Sequence, residues 1–160
     1  MIKFLFGKAG SGKTHIGEAS RAYGFHFHDA DQDLPPAFRH AMERGGGVTE
    51  AMREEFLSGL VGTIERLAAA YPDVCVSQAL VRDRLRIRVL EAVPAVQYVW
   101  VDAPEEVLAA RLESRPDHIA RAPYARMVNS LFELPTVPHA KFIKDGDAAR
   151  FAEQMRAIFG

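Results

Sequence analysis

Residues 7 to 14 read Gly7-Lys8-Ala9-Gly10-Ser11-Gly12-Lys13-Thr14, which satisfies the pattern G-x-x-x-x-G-K-[ST]. In a chain with this glycine, lysine and hydroxyl content, chance would supply about 0.002 such matches. The flanks agree with the pattern. Ile2-Lys3-Phe4-Leu5-Phe6 is a short β-favouring run stopped by glycine, and residues 14–23 predict a helix with Ile16, Ala19 and Ala22 on one side, ended by Gly24. A strand that feeds a glycine loop and then a helix lets successive backbone N–H groups converge on phosphate at the helix N-terminus. Lys13 then bridges the β and γ oxygens and the Thr14 hydroxyl ligates Mg²⁺. Gly7, Ala9, Gly10, Ser11, Gly12, Lys13, Thr14 and the adjoining His15 are the candidate nucleotide-binding residues. The expected ligand is a nucleoside triphosphate with Mg²⁺.

The remaining pattern alternates strand and helix. Phe25-His26-Phe27-His28 predicts a second strand, Pro35-Pro36 opens a helix to Arg44, and Gly45-Gly46-Gly47 interrupts it before a longer helix over 49–70. The glycine run is either a plain turn or a close backbone approach to a ligand. Strands follow at Val74–Ser77, Val96–Val101 and Lys141–Lys144, with helices over 82–92, 104–113, 124–132 and 147–159. Residues 114–123 are polar and hold two prolines, the best candidate for a lid. Strands separated by helices need right-handed crossovers, so the expected class is α/β, with a parallel sheet covered on both faces. At 160 residues the chain fits one domain, spanning 1–160, with helices over about 35–70 on the substrate side.

Composition narrows the classes of partner. Twenty Lys+Arg against 21 Asp+Glu leave a net charge of -1, which provides no general attraction to nucleic acid or an anionic membrane. No apolar run approaches the length of a membrane span, and the start is too short for a signal-peptide core. The single cysteine, Cys75, lies in Val74-Cys75-Val76 and reads as a buried, inert strand residue in a reducing, cytoplasmic setting. Arg82, Arg84, Arg86 and Arg88 invite a nucleic-acid reading. Spacing by two scatters them around a helix, so a charged helix is the better reading. The six histidines show no metal-binding spacing and read as structural or surface residues.

His28-Asp29-Ala30-Asp31-Gln32-Asp33 lies at the C-terminal end of the second predicted strand, where open α/β sheets place their ligands. On extended chain Asp29 and Asp31 would point the same way, one holding metal-bound water and the other accepting a proton from an acceptor hydroxyl. A helix cap or solvated loop is the alternative. With these residues the chain resembles the small-molecule P-loop kinases typified by gluconate kinase and shikimate kinase, over nearly its whole length. Gly45 followed by Thr49-Glu50-Ala51-Met52-Arg53 is similar to the gluconate kinase G-x-P-L-T-D-x-D-R element, and Ser77-Gln78-Ala79-Leu80 to its C-S-A-L. Arg111 to His118 resembles its R-x-x-x-R-x-G-H lid, and Glu133-Leu134-Pro135 its L-E-x-P. The resemblance implies a five-stranded sheet of order 2-3-1-4-5, Asp31 holding the acceptor alcohol as catalytic base, and Arg115 closing over the phosphates. It also implies ATP as donor and Mg²⁺ held by Thr14 and Asp29. Arg111 and Arg115 stand four apart and can share a helix face; Arg121 is a further candidate, and the lid match singles out His118 among the histidines. Arg53 is expected either to meet an anionic group on the acceptor or to form a surface ion pair.

The departures bear on the acceptor. Val81 stands where gluconate kinases carry lysine, the segment around Val128-Asn129 replaces S-Q-F, and Asp117 replaces the lid glycine. The shikimate family's later G-G-G anchor has no counterpart, since Gly45-Gly46-Gly47 falls too early. The expected activity is therefore ATP- and Mg²⁺-dependent phosphoryl transfer to a hydroxyl of a small, polar or anionic molecule, with gluconate a poor acceptor or none. A monomer or homodimer is expected. The alternatives are a nucleotide-binding regulatory ATPase and a nucleotide or polynucleotide kinase on the same scaffold.

Overall fold

In the computed structural model, which describes residues 1–114 and 122–160, strand β1 (Ile2–Phe6) occupies the centre of the sheet. Its alternation explains the layering. Ile2, Phe4 and Phe6 face one core, joined by Val74 and Val76 of β3 (Val74–Ser77) and by Val96 and Tyr98 of β4 (Val96–Asp102). Helices α3 (Glu50–Ala70) and α4 (Asp83–Ala92) cover that face with Phe56, Leu60, Ile64, Leu85 and Val89. Leu5, Cys75, Val99 and Val101 point the other way, against Ile16 of α1 (Lys13–Ser20) and Met155 and Phe159 of α7 (Ala148–Phe159). Strands apolar on both faces are what a covered parallel sheet requires.

With β2 (His26–Asp29) and β5 (His139–Ile143) at the edges, the five parallel strands run β2-β3-β1-β4-β5. This is the expected α/β class and strand order. The remaining helices are α2 (Pro36–Glu43), α5 (Glu105–Glu113) and α6 (Ala122–Ser130). Among the described residues, no helix is long and apolar enough to cross a membrane. Cys75 is fully buried, and that burial pushes its thiol pKa up to about 12, as an inert strand residue requires.

Several boundaries differ from expectation, for local reasons. Helix α1 stops at Ser20, whose buried hydroxyl donates to the Gly17 carbonyl at 2.6 Å, and Arg21–Tyr23 tighten into a 3₁₀ turn closed by Gly24. Helix α3 starts where Thr49 caps it, its hydroxyl accepting from the Met52 N–H at 3.2 Å. Strand β5 begins at His139, ahead of the expected Lys141, because Tyr98 and Val99 of β4 provide register partners for His139 and Ala140. The glycine run at 45–47 is a plain turn, with nothing within 4 Å of where its side chains would stand.

The arginine series needs the larger correction. Arg84 and Arg88 are surface residues paired with Glu50 and Glu54. Arg86 is completely buried. It donates to the carbonyls of Leu80 and Glu133 at 2.5 and 2.6 Å and to Asp83 at 3.0 Å, and its guanidinium lies 4.9 Å from the Phe6 ring centroid. Each of its three nitrogens has a partner, which is how a charge survives there. It ties β1, the segment after β3 and the segment after α6 into one unit.

Candidate active site

The C-terminal ends of β1, β2 and β3 open into one cleft of about 160 Å³, lined at one end by Ala9, Gly10, Gly12, Lys13, Thr14 and His15 and at the other by α2, α3 and α6. The loop end is built from backbone. Gly7 (φ 148°) passes so close to β4 that a Cβ would stand 2.2 Å from the Val101 carbonyl oxygen, and Gly12 (φ 96°) turns the chain into α1 in a conformation that excludes other residues. Lys13 Nζ donates to the carbonyls of Gly7 and Lys8 at 3.0 and 2.9 Å, so its ammonium rests over the loop that delivers it. The Ser11 hydroxyl is buried inside this loop and, among the described residues, is the one buried side-chain polar atom left without a hydrogen bond.

Residues far apart in sequence hold the loop. Arg111 Nη1 donates to the Gly10 carbonyl at 2.9 Å, so this expected nucleotide-binding residue reaches the loop. Asn129 of α6 clamps Ala9 with two bonds: its Oδ1 accepts from the Ala9 N–H at 2.8 Å and its Nδ2 donates to the Ala9 carbonyl at 3.1 Å. Nothing in the sequence pattern singled out Asn129 as a loop residue; it was visible only as a departure from S-Q-F. Arg115, together with His118, Arg121 and most of the expected lid over 114–123, lies outside the described residues.

His15, at the start of α1, packs at 5.1 Å on Phe151, beside a shallow concavity formed by residues 143–148. Burial lowers its pKa, and the nearby Lys144 and Arg111 lower it further, so the ring is neutral at pH 7. It offers a ring face and not a charge.

Asp29 and Asp31 share the cleft, but not in the way extended chain would allow. Strand β2 ends at Asp29, and residues 30–33 form a 3₁₀ turn because Asp29 caps it, accepting from the Asp31 N–H at 3.1 Å. The carboxylates consequently take separate tasks. Asp29 Oδ2 accepts from the Thr14 hydroxyl at 3.2 Å, so the two expected metal ligands stand together beside the phosphate loop. Asp31 Oδ1 accepts from Gln78 Nε2 at 3.0 Å, on the side toward β3. Gln78 is itself fixed, because its Oε1 accepts from the Leu80 N–H at 2.8 Å while Leu80 sits at φ 37°. A non-glycine residue in that region is strained; here the Gln78 and Arg86 bonds hold it. Gln78 is a site residue that the match to C-S-A-L did not reveal.

Hard oxygen ligands suit Mg²⁺, which commonly takes one or two protein oxygens beside substrate phosphates and water. Thr14 and Asp29 fit that role. Among the described residues no group of three or more His, Cys, Asp or Glu side chains is gathered for a metal, so phosphate oxygens and water would complete the coordination. Arg53 lines the far end of the cleft, half-buried, with the exposed Glu50 at 3.6 Å. It therefore has the ion-pair partner of one expected reading, and it lines the cleft.

No protein-family model matches the chain, and no curated protein matches it in sequence. Its fold is shared with solved structures over nearly its full length. It is similar to an unliganded sugar kinase from Janibacter sp. HTCC2649, at a TM-score of 0.82 and 22% identity, covering 97% of this chain and 92% of that one. It is similar to a gluconokinase from Sinorhizobium meliloti 1021, at a TM-score of 0.79 and 26% identity, covering 97% and 89%. Kti12 from Chaetomium thermophilum, solved in complex with ADP-AlF3, matches at a TM-score of 0.70 and 14% identity, covering 99% and 97%. Shikimate kinases are among the matching structures too. The resemblance to gluconate and shikimate kinases is thus borne out in the fold, which is that of the P-loop kinases.

Proposed function

We propose that the protein is an ATP- and Mg²⁺-dependent kinase that phosphorylates a hydroxyl of a small molecule. The observation that carries this reading is the position of Asp31: in the same cleft as Lys13 and Thr14, held by Gln78, and with a further chamber beyond it. A nucleotide switch needs the phosphate loop but not an acceptor chamber with a carboxylate at its entrance.

In this reading the backbone N–H groups at the start of α1, Lys13 and Arg111 grip the triphosphate, and His15 with Phe151 gives ring faces for the base. Mg²⁺ beside Thr14 and Asp29 neutralises phosphate charge when bound. The acceptor oxygen forms a bond to the γ-phosphorus as the bond from that phosphorus to the oxygen on the β-phosphate breaks. ADP leaves, and the acceptor proton passes to the Asp31 carboxylate and on to water. Gln78 orients the Asp31 carboxylate by donating a hydrogen bond to its Oδ1. Arg115 is proposed to close over the phosphates.

ADP release measured over a panel of small alcohols with MgATP tests this. Acceptor-dependent release with a phosphorylated product supports it. Hydrolysis that no acceptor stimulates, in a protein that binds MgATP, would favour the reading as a nucleotide-binding regulatory ATPase. With a net charge of -1, a small acceptor is proposed over a polynucleotide.

A further inference from the structure

The chamber beyond Asp31 has a chemistry that the kinase resemblance does not supply. Its walls are Phe38 of α2, Phe56 and Leu57 of α3, Leu80 and Val81 after β3, and Tyr124 of α6. All six are buried. Gln78 is held by two bonds, its amide oxygen accepting from the Leu80 N–H and its nitrogen donating to Asp31, so its remaining N–H lies next to Asp31, at the entrance to the chamber. Among the described residues lining this half of the cleft, Arg53 is the one cation, and it lies close enough to the Tyr124 hydroxyl to act on it electrostatically. Its ion-pair partner Glu50 is exposed and is also engaged by Arg84, so the Arg53 guanidinium keeps its charge toward the cleft.

A polyhydroxy acid placed here would press several hydroxyls against phenyl and aliphatic walls with no partners, and buried hydroxyls without partners are strongly disfavoured. An apolar body would fill the same space at a gain.

Taking the kinase reading as its premise, we propose that the acceptor is an amphiphilic hydroxy acid: a compact apolar body in the Phe38–Phe56–Val81 chamber, one hydroxyl presented to Asp31, and one anionic group held by Arg53. The anionic part of the sequence expectation is retained, while the polar body is replaced by an aliphatic or aromatic one.

Four probes separate the parts: tropate (3-hydroxy-2-phenylpropanoate), its uncharged relative 2-phenylpropan-1-ol, its unadorned relative 3-hydroxypropanoate, and gluconate. Binding is measured by calorimetry on the full chain with MgADP present. Tropate is expected to bind at least tenfold more tightly than each of the others. Arg53→Gln should cost tropate tenfold or more, Arg53→Lys should restore part of it, and neither should move 2-phenylpropan-1-ol. Val81→Lys should weaken tropate and strengthen gluconate. Gluconate binding as tightly as tropate, no tropate binding, or an Arg53→Gln variant that binds tropate normally would each overturn the proposal. Phosphoryl-transfer assays with the same probes keep it distinct from its premise. Transfer to gluconate in preference to tropate leaves the kinase reading intact and removes this one. Tight, Arg53-dependent tropate binding with MgATP bound and no transfer to any alcohol removes the kinase reading, and with it the role of acceptor, and leaves only the ligand class of the chamber standing.

Discussion

The two ends of the cleft are made by different means. At the end proposed to take phosphate the surface is the chain itself: glycine conformations, helix N–H groups and carbonyls fix the shape, and Lys13 leans on two carbonyls of its own loop. At the end proposed for the acceptor the surface is assembled from side chains of α2, α3, α6 and the segment after β3. The lesson is that the backbone-built end tolerates little variation and suits a constant donor, whereas the side-chain-built end can be retuned one residue at a time for a different acceptor.

The sharpest way to break this contrast is at Lys13. Lys13→Ala should abolish measurable MgATP binding, or lower turnover by about 10³-fold or more, in a protein that still melts cooperatively; unchanged affinity and turnover would detach the loop from function. Asp31→Asn comes next. It should keep MgATP affinity and lose roughly 10²–10⁴-fold in turnover, and a near-normal rate would move the proton-accepting role to Asp29. A third test joins the ends, because Arg86 supports both. Arg86→Met leaves the Leu80 and Glu133 carbonyls without this donor and takes the cation from Asp83, which keeps only its bonds from Thr136, so urea denaturation should show a loss of about 3–5 kcal/mol. Stability within error of the unsubstituted protein would make the buried guanidinium dispensable.

Asn129→Ala is smaller and more specific. Removing two bonds that each contribute about 0.5–1.5 kcal/mol should raise the nucleotide KM several-fold to about tenfold, with turnover less affected. Tighter nucleotide binding would mean that Asn129 restrains the loop instead of preparing it. The smallest effect is expected at Cys75. Its folded thiol pKa of about 12 lies above the ordinary 9.0, so the stabilisation from keeping it neutral is complete below about pH 9 and is lost as pH rises toward 12. Ellman's reagent should therefore leave the native protein unlabelled at pH 8 and label it once urea unfolds it.

How much of this was readable in the sequence follows the same division. The phosphate loop could be found because local backbone chemistry demands fixed residue types at fixed spacing, and Ile2–Phe6 and Val74–Ser77 have the bounds that their apolar runs predict. Asp29 and Asp31 were identifiable as site residues, yet their geometry was not, because a 3₁₀ turn set by the Asp29 cap replaces the extended chain. Gln78, Asn129 and Arg86 act through partners 47, 120 and 47 positions away. No periodicity encodes such contacts. Arg86 in particular looks like its neighbours Arg84 and Arg88 until the sheet exists to bury it.

The central position of β1 has a further consequence, for the order in which the protein can be made. Ile2 pairs with Val74 on one side and Val96 on the other, yet β1 leaves the ribosome before either of those strands. At roughly 5–20 residues per second, on the order of 5–20 s pass before β4 is available. Throughout that interval an apolar segment waits without its neighbours and Gly7 has no β4 carbonyl to rest against. Nucleotide cannot template the early steps, because the cradle that would receive it is completed only when the middle of the chain arrives. High sequence separation of this kind slows folding, and it places the need for chaperone protection at β1 and the glycine loop that follows it.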